Sequence, residues 1–156
     1  MATEIERKFL LIDESWRDGA DAGVDIAQGY LSQDPDRSVR VRIAGGKAWL
    51  TVKGRSEGIS RAEFEYEVPP ADARQMLELC LPSVIEKTRH CVPWGGHVWE
   101  IDVFHGQNDG LIVAEVELTD DSVVPVLPPW AGREVSEDAR YFNSCLATHP
   151  YCKWAR

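Results

Sequence analysis

The sequence predicts a mainly β (α+β) fold, an antiparallel barrel or sandwich of eight short strands with two flanking helices. Runs of strand type recur along the whole chain, and turn signals such as QDPD, GG, PWGG and GQNDG separate them. Almost every run alternates charged with apolar residues, which is the period of a strand rather than of a helix. Many short strands joined by tight turns are typical of barrels and sandwiches.

The order of the elements follows from these signals. A helix is predicted over 70–80, because Pro70 suits the first turn of a helix and an acidic residue follows it. A second helix is predicted over 137–147, with Ser136 as its N-cap. The remaining runs are predicted strands, at 3–11, 26–32, 38–44, 48–53, 61–68, 84–91, 97–104 and 111–118.

Length and composition indicate a globular protein and disfavour several partners. The 156 residues suit a single domain, 1–156, and the content of 44% hydrophobic and 28% charged residues is that of a soluble fold. The net charge of −9 disfavours a nucleic-acid duplex or an anionic membrane as a partner. No apolar run approaches the ~20 residues of a membrane span, and the start lacks a signal-peptide pattern, so we expect a cytoplasmic protein.

The cysteines and histidines are scattered. The four cysteines form no C-x-x-C pair, and the four histidines show no H-E-x-x-H spacing. We therefore expect the thiols to be structural or incidental rather than redox-active or metal-binding, and we do not expect a metal site built from histidine.

The stretch EIERK at residues 4–8 places Glu4, Glu6 and Lys8 on one face of a strand. Such a charged face can point either to solvent or into the interior of the fold. The simplest explanation is a sandwich whose charged faces are solvated. Against it, the charges are grouped by type, and arginine, which suits phosphate oxygens, is prominent. The cations in phase on predicted strands are Arg40, Arg42, Lys53, Lys87 and Arg89. The acids in phase are Glu63, Glu65, Glu100, Asp102, Glu115 and Glu117.

Charged faces that pointed inward would line a barrel able to hold a ligand. Such an interior needs satisfied charges, because an unpaired buried ion costs several kcal/mol. A row of cations suits a polyanion with several phosphates, and clustered carboxylates suit hard ions such as Mg²⁺ or Mn²⁺. A polyphosphate carried with a divalent ion would satisfy both sets.

Short motifs along nearly the whole chain resemble those of the CYTH family, the triphosphate tunnel metalloenzymes. E-I-E-R-K at the amino terminus resembles the ExExK signature of that family. It is followed in order by Q-G-Y-L, V-R-V-R, T-V-K, the Arg-x-Glu-x-Glu stretch at 61–65, E-K-T-R, E-I-D-V-F, A-E-V-E-L and E-D-A-R-Y-F-N-S-C-L-A. ExExK alone is a weak pattern, whereas the ordered set is specific, and it resembles the short bacterial form of the family.

The resemblance implies an eight-stranded antiparallel tunnel, closed as a barrel, with a charged interior that acts on a triphosphate with Mg²⁺ or Mn²⁺. It implies metal ligands among Glu4, Glu6, Glu63, Glu65, Glu115 and Glu117. It implies a phosphate-binding wall of Lys8, Arg40, Arg42, Lys53, Lys87 and Arg89. Lys8 is expected to orient the phosphoryl group under attack, beside Glu4 and Glu6 as catalytic residues.

The resemblance also implies accessory positions. The predicted helix at about 137–147 is expected to border or plug the tunnel, with Arg140 and Tyr141 facing it. Tyr30 is expected near the tunnel mouth, and Glu100 and Asp102 are further accessory candidates.

Several functions stay open at this point. The expected one is metal-dependent hydrolysis of inorganic tripolyphosphate to pyrophosphate and phosphate. Adenylate cyclase action on ATP is an alternative, and so is thiamine triphosphatase action with Trp49 or Trp99 stacking on the substrate. A non-catalytic polyphosphate-binding module would keep the cations but would not need the acids, so the four acids of the ExExK and EVE motifs favour an enzyme. The outward apolar faces are compatible with a homodimer.

Overall fold

A computed structural model describes residues 2–80 and 82–154, and nine strands of these residues form one antiparallel sheet. Residues 1, 81, 155 and 156 of the expected single domain lie outside the described residues. The strands are β1 (Ala2–Leu11), β2 (Val24–Ser32), β3 (Arg37–Ala44), β4 (Lys47–Gly54), β5 (Ser60–Val68), β6 (Ile85–Trp94), β7 (His97–Phe104), β8 (Ile112–Glu117) and β9 (Ala131–Glu134). The two α-helices of the described residues are α1 (Pro70–Glu78) and α2 (Asn143–Thr148).

Eight of these strands close into a barrel, so the barrel is confirmed and the sandwich is excluded. The strand order is β5-β4-β3-β2-β6-β7-β8-β1, and a further pairing of β5 with β1 joins the two ends. That pairing aligns Ala2 to Ile5 with Glu63 to Ser60. All eight predicted strands are present, each within three residues of the expected bounds.

The outward faces of the strands are apolar, as the alternation predicts, and several elements cover them. Helix α1 packs Ala73, Met76 and Leu77 against the outer residues of β3 and β4. The contact with β2 is close, since a Cβ atom added at Gly29 would lie 2.7 Å from the Cβ of Cys80. Only glycine therefore allows this approach.

A tryptophan-rich cluster covers the opposite outer face. Trp99 of β7 is fully buried between Phe9 of β1 and Trp130, with ring centroids 5.5 and 5.7 Å away. Trp16, from a 3₁₀ turn at Ser15–Gly19, joins the same cluster. These aromatic contacts fix the outer surface of strands whose inner surface is charged.

The inner faces change from charged to apolar towards one end of the barrel. Beyond Lys87 and Asp102, the next inward residues are Ile85 and Phe104, which are both buried. They join a cluster that contains Leu146 of α2. The C-terminal segment therefore covers this end of the barrel.

The C-terminal segment differs from the single helix predicted over 137–147. Residues 139–141 form a 3₁₀ turn, the backbone of Phe142 is extended, and α2 begins only at Asn143. The side chain of Asp138 accepts a hydrogen bond from the backbone N–H of Arg140, which favours a local turn over a continuous helix.

Ser136 is not the predicted N-cap. Its hydroxyl accepts a hydrogen bond from the backbone N–H of Lys8 at 3.0 Å and donates one to Glu134. On this edge, β1 pairs with β5 up to Ile5 and with β9 from Phe9 onward. The contact with Ser136 lies between these two pairings. The serine side chain thus satisfies a backbone group between the two pairings.

No helix of the described residues has the length and apolar character needed to cross a membrane.

Candidate active site inside the barrel

The inward side chains surround a cavity of about 200 Å³. Seven lining side chains are cationic: Lys8, Arg40, Arg42, Lys53, Arg61, Lys87 and Arg89. Seven carry carboxylates: Glu4, Glu6, Glu63, Glu65, Glu100, Glu115 and Glu117. Tyr30, Ser38, Phe142, Asn143 and Ser144 complete the lining among the described residues.

The strand order separates these charges into two walls. Strands β5, β1 and β8 are neighbours and hold six of the seven carboxylates; we call this side the acidic wall. Strands β3, β2 and β6 are neighbours on the opposite side and hold Arg40, Arg42, Lys87 and Arg89; we call this side the cationic wall. A closed barrel of alternating strands brings the two walls to face each other across one cavity.

On the acidic wall, Glu4 is held by cations. Its carboxylate accepts a hydrogen bond from Lys53 at 2.7 Å, and Arg61 lies 3.5 Å away. Burial alone would raise the pKa of Glu4, but a hydrogen bond with Glu63 and the charge of Lys53 outweigh it, so that pKa lies well below its ordinary value. Glu4 therefore stays ionised.

Other carboxylates of the acidic wall repel one another. Glu6 lies opposite Glu117 in the register of β1 and β8. Burial and the neighbouring Glu115 raise the pKa of Glu6 to about 8. The hydrogen bond to Glu4, together with burial, raises the pKa of Glu63 to about 7, and burial and Glu4 raise that of Glu117. This wall carries negative charge that its own cations do not balance.

Lys8 stands among the acids of β1 and β8. Its ammonium lies 3.7 Å from Glu115 and 4.0 Å from Glu6, and 5.3 Å from the centre of the Phe142 ring. Burial opposes its charge, but Glu115 and Glu6 outweigh burial and raise the pKa of Lys8. A charged ammonium is thus fixed beside the acidic wall.

The cationic wall rests on one buried carboxylate. Asp102 is fully buried and accepts hydrogen bonds from Lys87 at 2.7 Å and from Arg89 at 2.8 and 2.9 Å. Burial would raise the pKa of Asp102, but Lys87 and Arg89 hold it well below its ordinary value. Burial lowers the pKa of Lys87 to about 7, against the pull of Asp102. Asp102 therefore lies behind the cavity lining and positions two cations in it.

Two amides continue this network. Asn143 accepts hydrogen bonds at its Oδ1 from Lys87 at 2.9 Å and from Gln28 at 3.0 Å. Gln28 in turn accepts one at its Oε1 from Arg42 at 2.9 Å. Burial and the neighbouring Arg40 lower the pKa of Arg42 to about 10, so this guanidinium remains charged at neutral pH.

Arg40 keeps a donor that has no partner. Its terminal nitrogen contacts Thr51 at 3.3 Å and lies 3.5 Å from Glu65. Its Nε is buried without a hydrogen-bond partner among the described residues. A buried unpaired N–H in a cavity wall suits an anionic ligand, because leaving it unpaired costs free energy.

The structure brings together most of the residues that the sequence singled out. All six expected metal ligands and all six expected phosphate-binding residues line the cavity, as do Tyr30 and Glu100. Asp102 is adjacent but lies behind the lining. Tyr30 is buried in the cluster at the covered end, and not at an open mouth.

Two expected residues and one stacking candidate do not face the cavity. Arg140 pairs with Asp138 at 2.7 Å and lies over the rings of Tyr141 and Trp154. Tyr141 belongs to the apolar cluster at the covered end. Trp99 cannot stack on a substrate, because it is buried on the outer face of the barrel.

Five lining residues were missed by sequence reasoning. Arg61 lies on the charged face of its strand with Glu63 and Glu65, as the alternation predicts, but the resemblance implied no role for it. Ser38 is likewise in phase with Arg40, but a serine carries no charge signal. The other three come from the C-terminal segment, where no alternation marks the inward side: Phe142, Asn143 and Ser144.

A closed barrel whose interior sets a carboxylate wall against a guanidinium and ammonium wall defines a class of protein that binds polyanions together with cations. The comparison with protein families agrees with this class. The CYTH domain matches residues 2–149, and the chain belongs to the CYTH family. Membership of this family of triphosphate tunnel metalloenzymes implies a divalent metal ion at the site.

Curated relatives and a solved structure are similar over nearly the whole chain. An inorganic triphosphatase of Acetivibrio thermocellus is 49% identical over 152 residues, 97% of each chain. An inorganic triphosphatase of Nitrosomonas europaea is 37% identical over 150 residues, covering 93% of this chain and 97% of the relative. A crystal structure of an inorganic triphosphatase, 32% identical, superimposes with a TM-score of 0.64 over 94% of this chain and 95% of that one.

Proposed function

We propose that this protein hydrolyses inorganic tripolyphosphate to pyrophosphate and orthophosphate inside the barrel, with Mg²⁺ or Mn²⁺. One observation carries the proposal: a cationic wall and an acidic wall face each other across a single cavity. The relatives named inorganic triphosphatases, at 49% and 37% identity, support the same activity.

The charge balance of the cavity supports a substrate that binds with a metal ion. Its lining holds seven cationic and seven carboxylate side chains, so it carries no formal excess of positive charge. A bare polyanion would leave the buried carboxylates facing more negative charge. A polyanion bound with divalent cations satisfies both walls at once.

The acidic wall fits a divalent ion by its donor chemistry. Carboxylate oxygens are the ligands that Mg²⁺ and Mn²⁺ prefer. No three Asp, Glu, His or Cys side chains of the described residues form a group that could hold an ion by themselves. Residues among Glu4, Glu6, Glu63, Glu65, Glu115 and Glu117 would therefore hold the ion together with the substrate, as is usual for Mg²⁺ in phosphoryl-transfer sites. When bound, it supplies charge neutralisation and activation of water.

The side chains of the chain itself position the substrate. Arg40, Arg42, Lys87 and Arg89 bind phosphate oxygens and stabilise the charge of the departing pyrophosphate. Lys8, fixed between Glu6 and Glu115, orients the phosphoryl group under attack. Phosphoryl transfer depends mainly on such positioning and on electrostatic stabilisation.

Without a metal ion, burial and Glu115 raise the pKa of Glu6 to about 8, so its carboxyl holds a proton at neutral pH. A divalent ion bound among these carboxylates would displace that proton, because metal ligands bind in their deprotonated form.

A second candidate substrate is a triphosphate that carries an organic group. A recess of about 230 Å³ adjoins the charged cavity through Arg42, Glu65 and Arg89, which line both. Its other residues include the apolar Val24, Ile26, Ala44 and Trp49. Trp49 is half-buried there and can present a ring face to an adenine or a thiamine group.

The test measures phosphate release from tripolyphosphate, ATP and thiamine triphosphate in parallel, each with Mg²⁺ and with Mn²⁺. Fast release from tripolyphosphate and slow release from the others is the expected result. Cyclic AMP and pyrophosphate from ATP would point to a cyclase, and preferred turnover of thiamine triphosphate would point to the organic substrate. Tight binding of tripolyphosphate without turnover of any substrate would leave a binding module and overturn the proposal.

The homodimer and the cytoplasmic location stay predictions. The outer face of β5 leaves Tyr66 62% exposed and Phe64 37% exposed, which is compatible with a second subunit.

A further inference from the structure

The amide of Asn143 is held in one orientation by its neighbours. Its Oδ1 lies 2.9 Å from the ammonium of Lys87. In its ammonium form, which the ion pair with Asp102 favours, Lys87 only donates hydrogen bonds, so the atom facing it is the amide oxygen and not the amide nitrogen. The assignment of oxygen and nitrogen, which is often ambiguous for asparagine, is therefore fixed by chemistry here.

Gln28 gives the same answer from the other side. Its Oε1 faces the Nε of Arg42 at 2.9 Å, and a guanidinium is also a donor only. The Nε2 of Gln28 must then be the atom that points to Asn143, at 3.0 Å, where it donates to Oδ1. Gln28 is fully buried, so this orientation cannot relax into water. Two cations thus lock two amides in a consistent order.

The locked orientation turns the amide nitrogen of Asn143 away from both partners. Asn143 is half-buried and lines the charged cavity, whereas Gln28 does not line it. Among the described residues, the Nδ2 of Asn143 has no hydrogen-bond partner. A free N–H₂ group on a cavity-lining residue next to Lys87 is a neutral donor that suits an anionic oxygen.

We propose that Asn143 is a substrate-binding residue, whose side-chain N–H₂ donates a hydrogen bond to a phosphate oxygen of the triphosphate while its carbonyl oxygen is held by Lys87 and Gln28. This inference rests on the proposed function. The other proposed phosphate-binding residues are cations of the barrel strands. Asn143 instead comes from the C-terminal segment, where no alternation of charged and apolar residues marks it. It also gives that segment a role in binding beyond covering one end of the barrel.

The test measures the affinity for tripolyphosphate by titration calorimetry, and kcat and KM by phosphate release. Asn143→Ala removes the donor without adding charge. A hydrogen bond to a charged group accounts for a loss of about tenfold to hundredfold in affinity when it is removed. We expect a loss in that range, with a matching rise in KM and a smaller change in kcat.

Two further variants separate a contact with the substrate from an indirect effect. Asn143→Asp has nearly the same shape and keeps an acceptor for Lys87 and Gln28, but it replaces the donor by a second acceptor, so we expect a larger loss than for Asn143→Ala. Asn108→Asp makes the same substitution outside the cavity lining, at a buried residue whose Oδ1 accepts a hydrogen bond from the backbone N–H of Tyr151 at 2.8 Å. We expect it to weaken binding by less than about fivefold, because its contacts do not reach the substrate.

The outcomes are distinct. Failure of the unaltered protein to bind tripolyphosphate would overturn the proposed function itself. With binding intact, an Asn143→Ala or Asn143→Asp variant within about threefold of the unaltered protein would overturn the assignment of Asn143. Equal losses for Asn143→Asp and Asn108→Asp would also overturn it, since the effect would then come from the added charge and not from a contact with the substrate. Thermal unfolding of each variant shows that the fold is retained, and Asn143→Asp carries the test if Asn143→Ala does not fold.

Discussion

The cationic wall holds its charges with a buried carboxylate, whereas the acidic wall leaves several carboxylates facing one another. Asp102 accepts hydrogen bonds from both Lys87 and Arg89, and Gln28 and Asn143 extend the network to Arg42. On the other side, Glu6 lies opposite Glu117 in the register of two paired strands. Protein contacts thus hold the cationic wall in place before any ligand binds, whereas they hold the acidic wall only in part.

This difference indicates which wall needs which partner. The positions of Lys87 and Arg89 are fixed by protein groups, so a phosphate oxygen meets donors that are already oriented. In the chain without a ligand, burial and neighbouring acids raise the pKa of Glu6 to about 8 and that of Glu63 to about 7. Protonation of these carboxyls then reduces the repulsion within the acidic wall. A bound divalent cation would relieve the same repulsion.

The largest expected effect comes from the acidic wall. Glu117 lines the cavity and forms no ion pair with another of the described residues. Glu117→Gln should leave the fold intact and lower kcat/KM by about a thousandfold, because a metal ligand contributes several kcal/mol to the transition state. Phosphate release at saturating Mg²⁺ measures this. Glu67→Gln is a matched control, since Glu67 is in phase with Glu63 and Glu65 on β5 but lies outside the cavity lining. Full activity of Glu117→Gln would remove the acidic wall from the metal site.

A substitution in the cationic wall should lower the free energy of unfolding more than one in the acidic wall. Asp102→Asn leaves Lys87 and Arg89 buried without their carboxylate, so the free energy of unfolding should fall by about 3–5 kcal/mol. Denaturant unfolding measures the loss. Tripolyphosphate should recover part of it, since a bound anion supplies the missing charge.

Lys87→Met is the matched control for Asp102→Asn. It replaces the ammonium of Lys87 by an uncharged side chain of similar length. Asp102 then stays paired with Arg89 through two hydrogen bonds. Its loss of stability should therefore be smaller. If Asp102→Asn were as stable as the unaltered protein, Asp102 would not be the group that arranges this wall.

The acidic wall predicts a pH dependence of stability without metal. A carboxyl whose pKa is raised in the folded state binds more protons there than in the unfolded chain, so stability falls as pH rises from about 4.5 through the folded pKa. For Glu63 and Glu6 these folded values are about 7 and about 8. The lowered pKa of Lys87, about 7, acts in the opposite direction, but only above pH 7.

Between pH 5 and pH 7, the carboxyls of the acidic wall therefore dominate. The free energy of unfolding in a chelator should fall over this window by at least about 1.4 kcal/mol, which corresponds to one pKa unit. Glu6→Gln should remove much of this slope, and Mg²⁺ should stabilise the protein more at pH 7 than at pH 5. A stability that rises over the same window would contradict the assignment of raised pKa values to these carboxyls.

The alternation of charged and apolar residues along the strands predicts most of the fold and most of the residues of both walls. A period of two places Glu4, Glu6 and Lys8 on one face whatever the rest of the chain does, and the same rule places the cations of β3 and β6. Closure of the barrel then brings these faces together. Sequence reasoning therefore found the charged lining but could not find the order of the walls, which depends on the pairing of β5 with β1.

The features that the sequence did not predict depend mainly on contacts between segments that are distant in the sequence. Strand β9 has four residues and no alternation, and it forms because β1 offers a free edge next to Glu134 and Ala131. Asn143 reaches Lys87 across 56 positions of the sequence, so no local pattern announces its role. The helix over 137–147 was wrong because the hydrogen bond of Asp138 to its own backbone neighbourhood competes with helix formation.

The smallest expected effect concerns a cation that belongs to neither wall. Arg140 lies on the same C-terminal segment as Asn143, but its exposed side chain pairs with Asp138 at 2.7 Å and lies over Trp154. Arg140→Ala should change kcat/KM by less than about twofold, because an exposed ion pair contributes little. Arg42→Ala, which removes a donor inside the cavity, should lower kcat/KM by about a hundredfold. Equal losses in the two variants would mean that Arg140 reaches the substrate during turnover, and the cationic wall would then extend beyond the strands of the barrel.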